Sequence, residues 1–600
     1  MTPPWIEPLA RRLVLWNRRR LQRRLQARMP QYGDWCTRFD ALDEATRAAL
    51  QQRLAALLAQ GDAPTIGLLL EPMKSAIADH AALLQSLQVQ LYPHWQLSVA
   101  VREGDVDSAA FWKSQAATDS RLQIVPVATR AARLNSTQQP WLAFTDTSER
   151  WREHALLLLA EAAVHHPGCV LVYGDEDRLD DAGQRSEPRF KCDWNPDLLL
   201  SHDCIGRPAL GRTASLQAAA PLDDEAPGPW RHALALRGTG GRTAEHIVHV
   251  PHVLLHRTAS AAAQEETASV AAVQAHLART GERGTAEPQP GFDGVRVRFA
   301  LQEPPPPVTL LIPTRNGLAL LRQCIDSILQ RSTYPNYDIV VIDNGSDDPA
   351  CLAYLQQLQR DSRICVRRDD SPFNFAALNN AAAAKARGEY LALVNNDIEV
   401  ITPGWLEEMV TLAARPGVGA VGARLWYSDG TLQHGGVITG IGGGAGHAHK
   451  RLTRGEPGLM GRAQRLQTLS AVTAACLVLR RSAYEQVQGM DAEHFAVACN
   501  DIDLCLRLRA AGLRNVWTPF AELYHHESVS RGRDHAPEKK QRFLRELGAM
   551  QTRWGASLDH DPAYNPNLTL ANENFALADP PRVNLRQPWF AEKPKQPRPG

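Results

Sequence analysis

Three aspartates and a pair of histidines in the second half of this 600-residue chain have the types and positions that catalysis uses. Asp343 and Asp397 each follow a short apolar run, and Asp501 begins a stretch with helical spacing. His525 and His526 follow a third apolar run. A lone carboxylate at the end of a strand holds Mg²⁺ or Mn²⁺ mainly when phosphate oxygens complete the coordination shell. Asp397 therefore indicates a site for a nucleotide diphosphate.

Asp501 has the position of a general base. The helix dipole favours the ionised form of a carboxylate at a helix N-terminus, and a general base must be ionised at neutral pH. Each candidate also has a plainer structural interpretation: Asp501 as a helix cap, Asp397 as part of an Asn-Asn-Asp turn, and the two histidines as surface or packed core residues. No single residue decides between the two interpretations.

Two strands and a helix are predicted to position Asp343. Residues 308–312 and 339–342 are apolar, β-branched runs short enough to be buried strands, and apolar residues recur at helical spacing between them. Such a strand–helix–strand unit builds a parallel sheet. Polar residues at 314–317 and 343–346 follow the two strands, where open α/β sheets bind their ligands. The alternative is that these residues are only the turns that any such unit needs.

Composition indicates a soluble globular protein of several domains. The chain is 44% hydrophobic and 22% charged, and its net charge of +1 gives no reason to expect a nucleic-acid partner. Ten cysteines are scattered without C-x-x-C spacing, which favours a reducing compartment. The sequence has no apolar run of about 18 residues and no secretory signal. A cytoplasmic location is predicted.

The first 60 residues are predicted to form a basic helical leader. Eight arginines crowd residues 11–28 and alternate with leucines and Trp16. A basic amphipathic helix of this kind can lie on an anionic membrane surface, which would place the protein peripherally at the inner face of the membrane. The alternatives are a solvated helical extension and a leader that docks on the protein itself.

Two α/β domains are predicted, each Rossmann-related with a mostly parallel sheet. The first domain covers residues 61–260, and the second domain covers residues 308–550. A proline-rich linker (261–307) separates them, and a tail rich in Pro and Asn (551–600) follows. Both domains show the same order of strands and helices, which indicates a duplication. The glycine-rich residues 435–447 are predicted to form a mobile loop.

Six blocks of the second domain resemble, in order, the motifs of inverting glycosyltransferases of family 2, which have the nucleotide-sugar-binding GT-A fold. The fourth block, Val-Asn-Asn-Asp, resembles the D-x-D metal motif of that family in its Asn-first form. The fifth contains Asn-Asp-Ile-Asp and resembles the segment that carries the catalytic base. The blocks are residues 313–317, 342–346, 374–380, 394–397, 495–508 and 517–528.

The resemblance implies a role for each candidate. Asp501 would deprotonate the acceptor hydroxyl, and the sugar would be transferred with inversion. Asp397 would bind a divalent ion, Mn²⁺ or Mg²⁺, with one of His525 and His526; because Asn395 carries no charge, Asp397 would be the sole carboxylate ligand. The donor would be a UDP- or dTDP-sugar, and the acceptor a glycan or lipid-linked glycan. The implied nucleotide-sugar-binding residues are Pro313, Thr314, Arg315, Asn316, Asp343, Asn344, Asn374, Asn379, Asn395 and Asn396.

The first domain also resembles this family, in the tandem two-domain form associated with bacterial surface-polysaccharide assembly. Residues 173–177, 190–194 and 197–202 carry the likeness. Its catalytic motifs are poorly kept, because Leu-Glu-Pro at 70–72 replaces the opening motif and Phe-Thr-Asp-Thr at 144–147 replaces the metal motif. The first domain is therefore predicted to be degenerate, with a role in acceptor binding or architecture. A second active site of altered chemistry is the alternative.

The alternative functions are nucleotidyl transfer and non-catalytic glycan binding. A nucleotidyltransferase would need a glycine-rich, basic phosphate loop after the first strand, and Thr-Arg-Asn-Gly at 314–317 is not such a loop. A non-catalytic, glycan-binding scaffold of an assembly complex would not need a base, so Asp501 together with Asp397 argues against it.

Overall fold

The structure is a computed structural model, and it describes residues 32–73, 75–126, 128–219, 230–258, 269–526 and 537–590. The arginine-rich stretch at 11–28, predicted to be a basic helix, lies outside these residues. Within the described part of the chain, no helix is long and apolar enough to span a membrane.

The first domain alternates strands and helices from its start. Two helices of the predicted leader precede it and pack on its surface. The elements are α1 (Tyr32–Phe39), α2 (Glu44–Ala59), β1 (Ile66–Leu70), α3 (Ile77–Gln88), β2 (Trp95–Ala100), α4 (Val106–Ala116), β3 (Leu122–Val125), α5 (Arg130–Ser136), β4 (Trp141–Thr145), β5 (Glu149–Trp151), α6 (Ala155–His165), β6 (Leu171–Leu179), β7 (Arg185–Arg189), α7 (Pro196–Ser201), β8 (Ala209–Arg212), α8 (Thr213–Ala218), α9 (Trp230–Thr239) and β9 (Ile247–Thr258).

The described part of the predicted linker, residues 269–307, contains secondary structure. It contains α10 (Val270–Thr280) and a hairpin of β10 (Gly284–Pro288) and β11 (Val295–Phe299). Apolar side chains from the helix and the hairpin pack with Leu199 in one buried cluster. The prolines that suggested a linker lie between the hairpin and the next strand, so they mark only the last few residues before the second domain.

The second domain repeats the same succession. Its elements are β12 (Val308–Thr314), α11 (Leu318–Arg331), β13 (Tyr337–Asp343), α12 (Pro349–Leu358), β14 (Ile364–Arg368), α13 (Phe375–Ala383), β15 (Tyr390–Val394), β16 (Ile398–Val400), α14 (Trp405–Ala413), β17 (Val418–Trp426), β18 (Leu432–His434), β19 (Val437–Thr439), β20 (Ala445–His447), β21 (Gln467–Leu469), β22 (Cys476–Arg480), α15 (Arg481–Gln486), α16 (Asn500–Ala510), β23 (Arg514–His525) and α17 (Pro537–Asp559).

The two central sheets have the same strand order. In the first domain it is β3-β2-β1-β4-β8-β6-β9-β5, and in the second it is β14-β13-β12-β15-β22-β17-β23-β16. In both, four parallel strands come first, and antiparallel pairings together with one more parallel pair, β6–β9 or β17–β23, complete a mixed sheet. The prediction of two tandem α/β domains is confirmed, and the shared order supports duplication.

The central strands form because nearly every side chain in them is apolar and buried. All seven residues of β12 are buried, as are the last five of β13, as expected for parallel strands with helices on both faces. Between them α11 turns Leu321, Ile325 and Ile328 toward the core. This arrangement places the polar residues after β12, β13 and β15 at one edge of the sheet.

The glycine-rich segment is ordered, which corrects the predicted mobile loop. Residues 437–447 form a small antiparallel hairpin, β19–β20, whose Val437 and Ile438 are buried. The glycines allow close packing here: Gly440 has a φ of +88°, and a Cβ at this position would collide with the Leu558 carbonyl of α17. The segment is therefore glycine-rich because neighbouring backbone comes close to it.

Residues 551–590 of the predicted tail pack on the rest of the protein. Helix α17 crosses the predicted boundary at 550, and residues 560–590 then run over both domains. Tyr564, Leu568 and Phe575 are buried in the core of the second domain. The Asn565 side chain donates to Asp175 of the first domain at 2.8 Å. We call residues 560–590 the strap.

The strap also reaches the start of the described chain. The indole N–H of Trp35 in α1 donates to the Ala578 carbonyl at 2.8 Å. The guanidinium of Arg53 in α2 donates to the Leu585 carbonyl at the same distance. The strap thus holds the leading helices against the two domains.

Candidate functional site

A polar cavity of about 170 Å³ opens beside the ends of β15 and β22 in the second domain. It contains three of the residues predicted from the sequence: Asn395, Asp501 and His525. The remaining lining comes from four regions of the chain: Phe375, Gln433, His447, Thr473, Ala474, Ala475, Val497 and Asn500.

Asp397 and His525 lie next to each other at one end of this region. The antiparallel pairing of β16 with β23 places Ile398 opposite His525, so Asp397 is its neighbour. Asp397 Oδ1 lies 3.2 Å from His525 Nε2. Adjacent ligands of an octahedral Mg²⁺-type ion, with bonds of about 2.1 Å, are about 3.0 Å apart. The spacing therefore fits two ligands of one divalent ion.

Gln433 orients the His525 ring. Its Oε1 lies 2.7 Å from His525 Nδ1, and an amide oxygen can only accept a hydrogen bond. The proton of a neutral His525 is therefore on Nδ1, which leaves the lone pair of Nε2 on the side of Asp397. Metal-binding histidines are commonly held in this way, with the second ring nitrogen donating to an oxygen.

His526 lies elsewhere. Its Nε2 is 3.0 Å from Glu399 Oε2, and its Nδ1 is 2.8 Å from the Ser428 hydroxyl. Only its backbone N–H contacts Asp397, by donating to the Asp397 carbonyl at 2.9 Å. Of the two predicted histidines, the structure thus brings His525 to Asp397 and keeps the His526 ring away.

No cluster of three or more His, Cys, Asp or Glu side chains suited to a metal occurs in the described ranges. A site with Asp397 and His525 alone supplies two protein ligands. Mg²⁺ is commonly bound through one or two carboxylates with substrate phosphates and water in the other positions. This donor set therefore fits an ion that binds together with a diphosphate.

Asp501 lies in the first turn of α16 and is half-buried at the cavity wall. One carboxylate oxygen accepts from the Ala474 backbone N–H at 3.1 Å, and the other accepts from the Ile502 N–H at 2.9 Å. Burial raises the pKa of Asp501 above its ordinary value and outweighs these hydrogen bonds, which lower it. A raised pKa makes the ionised carboxylate a stronger proton acceptor.

Asp503, two residues later, has a structural role. Its Oδ1 accepts from Arg553 and from the Trp554 indole N–H, both at 2.9 Å, and its Oδ2 accepts from Arg507 at 2.7 Å. These contacts join α16 to α17. Asp501 is therefore the carboxylate of the Asn-Asp-Ile-Asp motif that faces the cavity.

The loops after β12 and β13 hold each other in place. Asp343 Oδ1 accepts from the Ser346 N–H at 2.9 Å, and its Oδ2 lies 3.0 Å from Arg368. Asn316 has a φ of +54°, and its Oδ1 accepts from the backbone N–H groups of Asp347 and Asp348. The Asp343 carboxylate is thus fixed at the sheet edge.

Thr314 connects this edge to the metal motif. Its hydroxyl oxygen accepts from the Asn396 side chain at 3.0 Å, so the ends of β12 and β15 lie side by side. Pro313 is buried within β12, and Arg315 is exposed beyond it. Asn395 Nδ2 lies 3.3 Å from His525 Nε2.

Three predicted asparagines have local structural contacts. Asn374 caps α13 by accepting from the Ala377 N–H, and it donates to the Ala492 carbonyl. The Asn379 side chain donates to the Phe375 carbonyl within the same helix. Asn344 donates to the carbonyls of residues 369 and 371. These three residues shape the loops around the site, and the cavity lining does not include them.

Sequence reasoning missed Gln433 and His447. His447 ends the glycine-rich stretch that reads as a flexible loop, and Gln433 lies two residues before it, in β18. A polar residue beside each end of that stretch was the available signal.

The equivalent position in the first domain contains arginines. The pairing of β5 with β9 places Glu149 opposite Arg257, as Ile398 is opposite His525. Arg257 therefore takes the place of His525, and Ser148 takes that of Asp397. The Arg207 guanidinium contacts both Asp146 and Glu149, and all three are buried. A guanidinium thus neutralises the carboxylates at this end of the sheet.

The first domain also has a small cavity of about 50 Å³ between α9 and its sheet. Its walls are mainly leucine, valine, glycine and aromatic side chains, with Asp203 and Arg231 as the charged members. Arg231 lies in the first turn of α9, the counterpart of the helix that carries Asp501. The lining of this cavity includes no carboxylate–histidine pair.

Residues 309–488 match the family model described as glycosyl transferase family 2. The resemblance drawn from the sequence is confirmed for these residues. Asp501 and His525 lie beyond the matched range, so their assignment depends on the geometry above.

Relatives extend over nearly the whole chain. The uncharacterized protein y4gI of Sinorhizobium fredii is 38% identical over 89% of this chain, and the O-antigen biosynthesis protein RfbC of Myxococcus xanthus is 35% identical over 91%. The chain spans 61% of the first relative and 43% of the second. An N-acetylglucosaminyl-diphospho-decaprenol L-rhamnosyltransferase of Mycobacterium tuberculosis is 45% identical over 65 residues, 11% of this chain and 21% of its own.

Solved structures similar to the chain include two with bound Mn²⁺. Mannosyltransferase PcManGT from Pyrobaculum calidifontis, in complex with GDP-Man and Mn²⁺, is 18% identical and covers 41% of this chain and 64% of its own, with a TM-score of 0.30. GalNAc-T7 with UDP, GalNAc and Mn²⁺ is 14% identical and covers 43% of this chain and 50% of its own, with a TM-score of 0.34.

Proposed function

We propose that this chain is a metal-dependent, inverting glycosyltransferase that moves a sugar from a UDP- or dTDP-sugar to a glycan acceptor. One observation carries the proposal: Asp501, a carboxylate with a raised pKa, and His525, the partner of Asp397, line the same cavity. Displacement at a sugar carbon needs a base for the attacking hydroxyl and a cation for the leaving diphosphate, and both would lie at one cavity. Family 2 similarity of residues 309–488 supports the same reaction.

The nucleotide is assigned to the edge formed by the ends of β12 and β13. Asp343 is held there by Ser346 and Arg368, and it offers a carboxylate to the base or ribose. Thr314 and Asn396, in contact with each other, lie between this edge and Asp397. A nucleotide bound at Asp343 therefore directs its diphosphate toward Asp397 and His525.

Asp397 and His525 would hold the divalent ion, with Gln433 keeping the lone pair of His525 Nε2 directed at it. When bound, Mn²⁺ or Mg²⁺ would act as a Lewis acid that stabilises charge on the departing diphosphate. In the proposed assignment His526 belongs to the Glu399 and Ser428 contacts, outside the ion's ligands.

Asp501 is proposed to accept the proton of the acceptor hydroxyl. As the acceptor hydroxyl oxygen bonds to the anomeric carbon, the bond from that carbon to the diphosphate oxygen breaks, and the hydroxyl proton passes to the Asp501 carboxylate. Attack occurs opposite the leaving group, so the configuration at the anomeric carbon inverts. The Ala474 and Ile502 N–H groups hold the carboxylate in position throughout.

The proposed acceptor is a glycan or a lipid-linked glycan used in cell-surface polysaccharide synthesis. The supporting observation is the similarity to an O-antigen biosynthesis protein over 91% of the chain. A cytoplasmic protein that reaches a lipid-linked acceptor would benefit from peripheral membrane binding, and the arginine-rich residues 11–28 have the charge for it.

The first domain is assigned an architectural or acceptor-binding role without transfer chemistry. Ser148 and Arg257 stand where the second domain has Asp397 and His525, and Arg207 already neutralises Asp146 and Glu149. A divalent ion would have to displace a buried guanidinium there, which opposes metal binding.

The proposal is tested by calorimetric titration of UDP and dTDP into the protein, with and without Mn²⁺. We expect one of the nucleotides to bind only with Mn²⁺, and Asp397→Ala to abolish that binding. Glu399→Ala is the matched control, because Glu399 is a carboxylate two residues away that contacts Arg331 and His526. If neither nucleotide binds the wild-type protein at millimolar concentration, transfer from a UDP- or dTDP-sugar is excluded and a glycan-binding scaffold becomes the leading function.

A further inference from the structure

His434 and His447 form a pair across the end of the ordered hairpin. Their Nδ1 atoms are 2.8 Å apart, and their rings are nearly perpendicular. His434 is fully buried in β18, whereas His447 at the end of β20 lines the cavity that contains Asp501 and His525. The pair therefore links the protein interior to the cavity wall.

The hydrogen bonds of His434 determine where its proton lies. The Thr473 backbone N–H donates to His434 Nε2 at 3.4 Å, and a backbone N–H can only donate. His434 Nε2 is therefore unprotonated, so the ring carries its proton on Nδ1. Because two nitrogens 2.8 Å apart share one proton, His434 Nδ1–H donates to His447 Nδ1.

The proton of His447 is located by its contact with His434. Its Nδ1 accepts, so its own proton is on Nε2, the nitrogen that His434 does not contact. A protonated, cationic His447 would need its Nδ1 hydrogen to point at the Nδ1 hydrogen of His434. Both rings are therefore neutral, and the burial of both side chains, which lowers the pKa of His447 to about 3, agrees.

We propose that His447 is a donor-sugar specificity residue, whose Nε2–H donates a hydrogen bond to a hydroxyl of the sugar being transferred. The inference rests on the proposed function. The anomeric carbon must lie between the diphosphate at Asp397 and His525 and the acceptor oxygen at Asp501. The transferred sugar therefore occupies the cavity between these residues, and His447 is part of its wall.

The hairpin that carries His447 is held rigidly enough for selection. The Thr439 backbone N–H donates to Asp561 of the strap at 2.7 Å, and Gln551 of α17 donates to the Gly443 carbonyl at the same distance. Since the tautomer is set by a backbone N–H, His447 offers a donor at every pH at which the fold persists. His447 therefore favours a sugar with an oxygen that can accept this hydrogen bond.

The tautomers are tested directly by long-range ¹⁵N–¹H correlation spectra of the full chain with ¹⁵N-labelled histidine. We expect the His447 signals to show protonated Nε2 and the His434 signals to show protonated Nδ1, with assignments from His447→Phe and His434→Phe. A His447 ring protonated on Nδ1 would overturn the inference, whatever the protein catalyses.

The contact with sugar is tested by comparing each nucleotide with its sugar derivatives in the presence of Mn²⁺. The probes are UDP, UDP-glucose, UDP-galactose, UDP-N-acetylglucosamine, dTDP and dTDP-rhamnose. We expect His447→Phe, which keeps a ring without the donor, to weaken the preferred sugar nucleotide about tenfold, since one hydrogen bond is lost. Binding of the bare nucleotide should stay within twofold, and His447→Gln, which retains an N–H, should recover most of the loss.

The outcomes separate the two proposals. If neither bare nucleotide binds the wild-type protein, the proposed function fails and this inference fails with it. If the bare nucleotide binds but His447→Phe weakens it as much as the sugar derivative, or weakens neither, only the role of His447 is wrong. Wild-type protein that binds no sugar derivative more tightly than its nucleotide also refutes that role.

Discussion

Asp197 of the first domain lies 2.9 Å from Arg514 of the second. The same carboxylate contacts Arg415, whose guanidinium also lies 2.6 Å from Glu282, just after α10. Asp197 and Arg415 are both buried. Burial raises the pKa of Asp197, but the two guanidinium groups outweigh it and hold that pKa well below its usual range. The two domains are thus joined through one buried carboxylate.

Asp197→Ala should destabilise the contact between the domains. It leaves Arg415 and Arg514 without their shared carboxylate, and removal of one partner of a buried ion pair costs about 3–5 kcal/mol. We expect a lower urea midpoint and earlier proteolytic separation of the domains. Arg38→Ala, which removes an exposed pair with Asp579, is the control and should leave both measurements unchanged. An unaltered midpoint for Asp197→Ala would contradict the assigned role.

His525→Ala and His526→Ala should differ sharply, although the two residues are adjacent. The first removes a nitrogen 3.2 Å from Asp397, and the second removes a ring held by Glu399 and Ser428. We expect Mn²⁺-dependent nucleotide binding to be lost in His525→Ala and retained in His526→Ala, as measured by calorimetry. The opposite pattern would move the cation site to Glu399.

Sequence alone could not separate these histidines. Consecutive side chains of a strand point to opposite faces, and no pattern at the end of β23 says which face meets Asp397. The register with β16 decides it, because His525 is paired with Ile398. That register depends on strands more than a hundred residues apart.

Asp501→Asn should lower kcat and preserve nucleotide binding. The amide oxygen can still accept from a backbone N–H, but it cannot take a proton, and loss of a general base typically costs about 10²–10⁴-fold in rate. The measurement is turnover of the sugar nucleotide that binds best. Asp503→Asn is the comparison: it should lower thermal stability, because Asp503 holds Arg553 and Trp554.

The rate should also depend on pH through Asp501. Burial raises the pKa of Asp501, and only the ionised form accepts a proton. The rate should therefore fall as the pH decreases through this raised pKa, and level off above it. A plot of kcat against pH checks the prediction, and a rate that rises toward acid would exclude a carboxylate base.

Stability should depend on pH through His249. Burial lowers its pKa, but Asp175 and Asp193, at 2.9 and 3.2 Å, outweigh burial and raise the pKa of His249 to about 9. The folded state then holds a proton that the unfolded chain releases near pH 6.5. This stabilisation is complete below about pH 6.5 and is lost as the pH rises through about 9.

Melting temperatures from pH 6 to 10 test this prediction. The wild-type protein should lose stability over that range relative to His249→Gln, which cannot bind the proton. Parallel curves for the two proteins would show that His249 does not carry a raised pKa.

Titration with the preferred nucleotide should give one site per chain. The first domain has the sheet of a second site, but Arg207 contacts Asp146 and Glu149 there. Asp146→Asn should therefore leave the stoichiometry and affinity unchanged and lower the unfolding midpoint. A stoichiometry of two would establish that the first domain binds nucleotide as well.

The duplicated domains were predictable because their strands are short apolar runs and their helices have local periodicity. The hairpin around Gly440 was not, since its order comes from contacts with Leu558 and Asp561, more than a hundred residues later. For the site in the first domain that contains Arg207 and Arg257, the sequence indicated only that the catalytic motifs are missing. The position of Arg207 depends on where β8, which begins two residues after it, pairs in the sheet.

The strap has a consequence for synthesis. Trp35 and Arg53 reach their partners Ala578 and Leu585 only after more than 500 further residues have left the ribosome. At about 5–20 residues per second, this delay is about half a minute to two minutes. During that interval, the surface of α1 and α2 that later meets the strap is exposed on the nascent chain. Chaperone binding to these helices is therefore expected while the rest of the protein is still being translated.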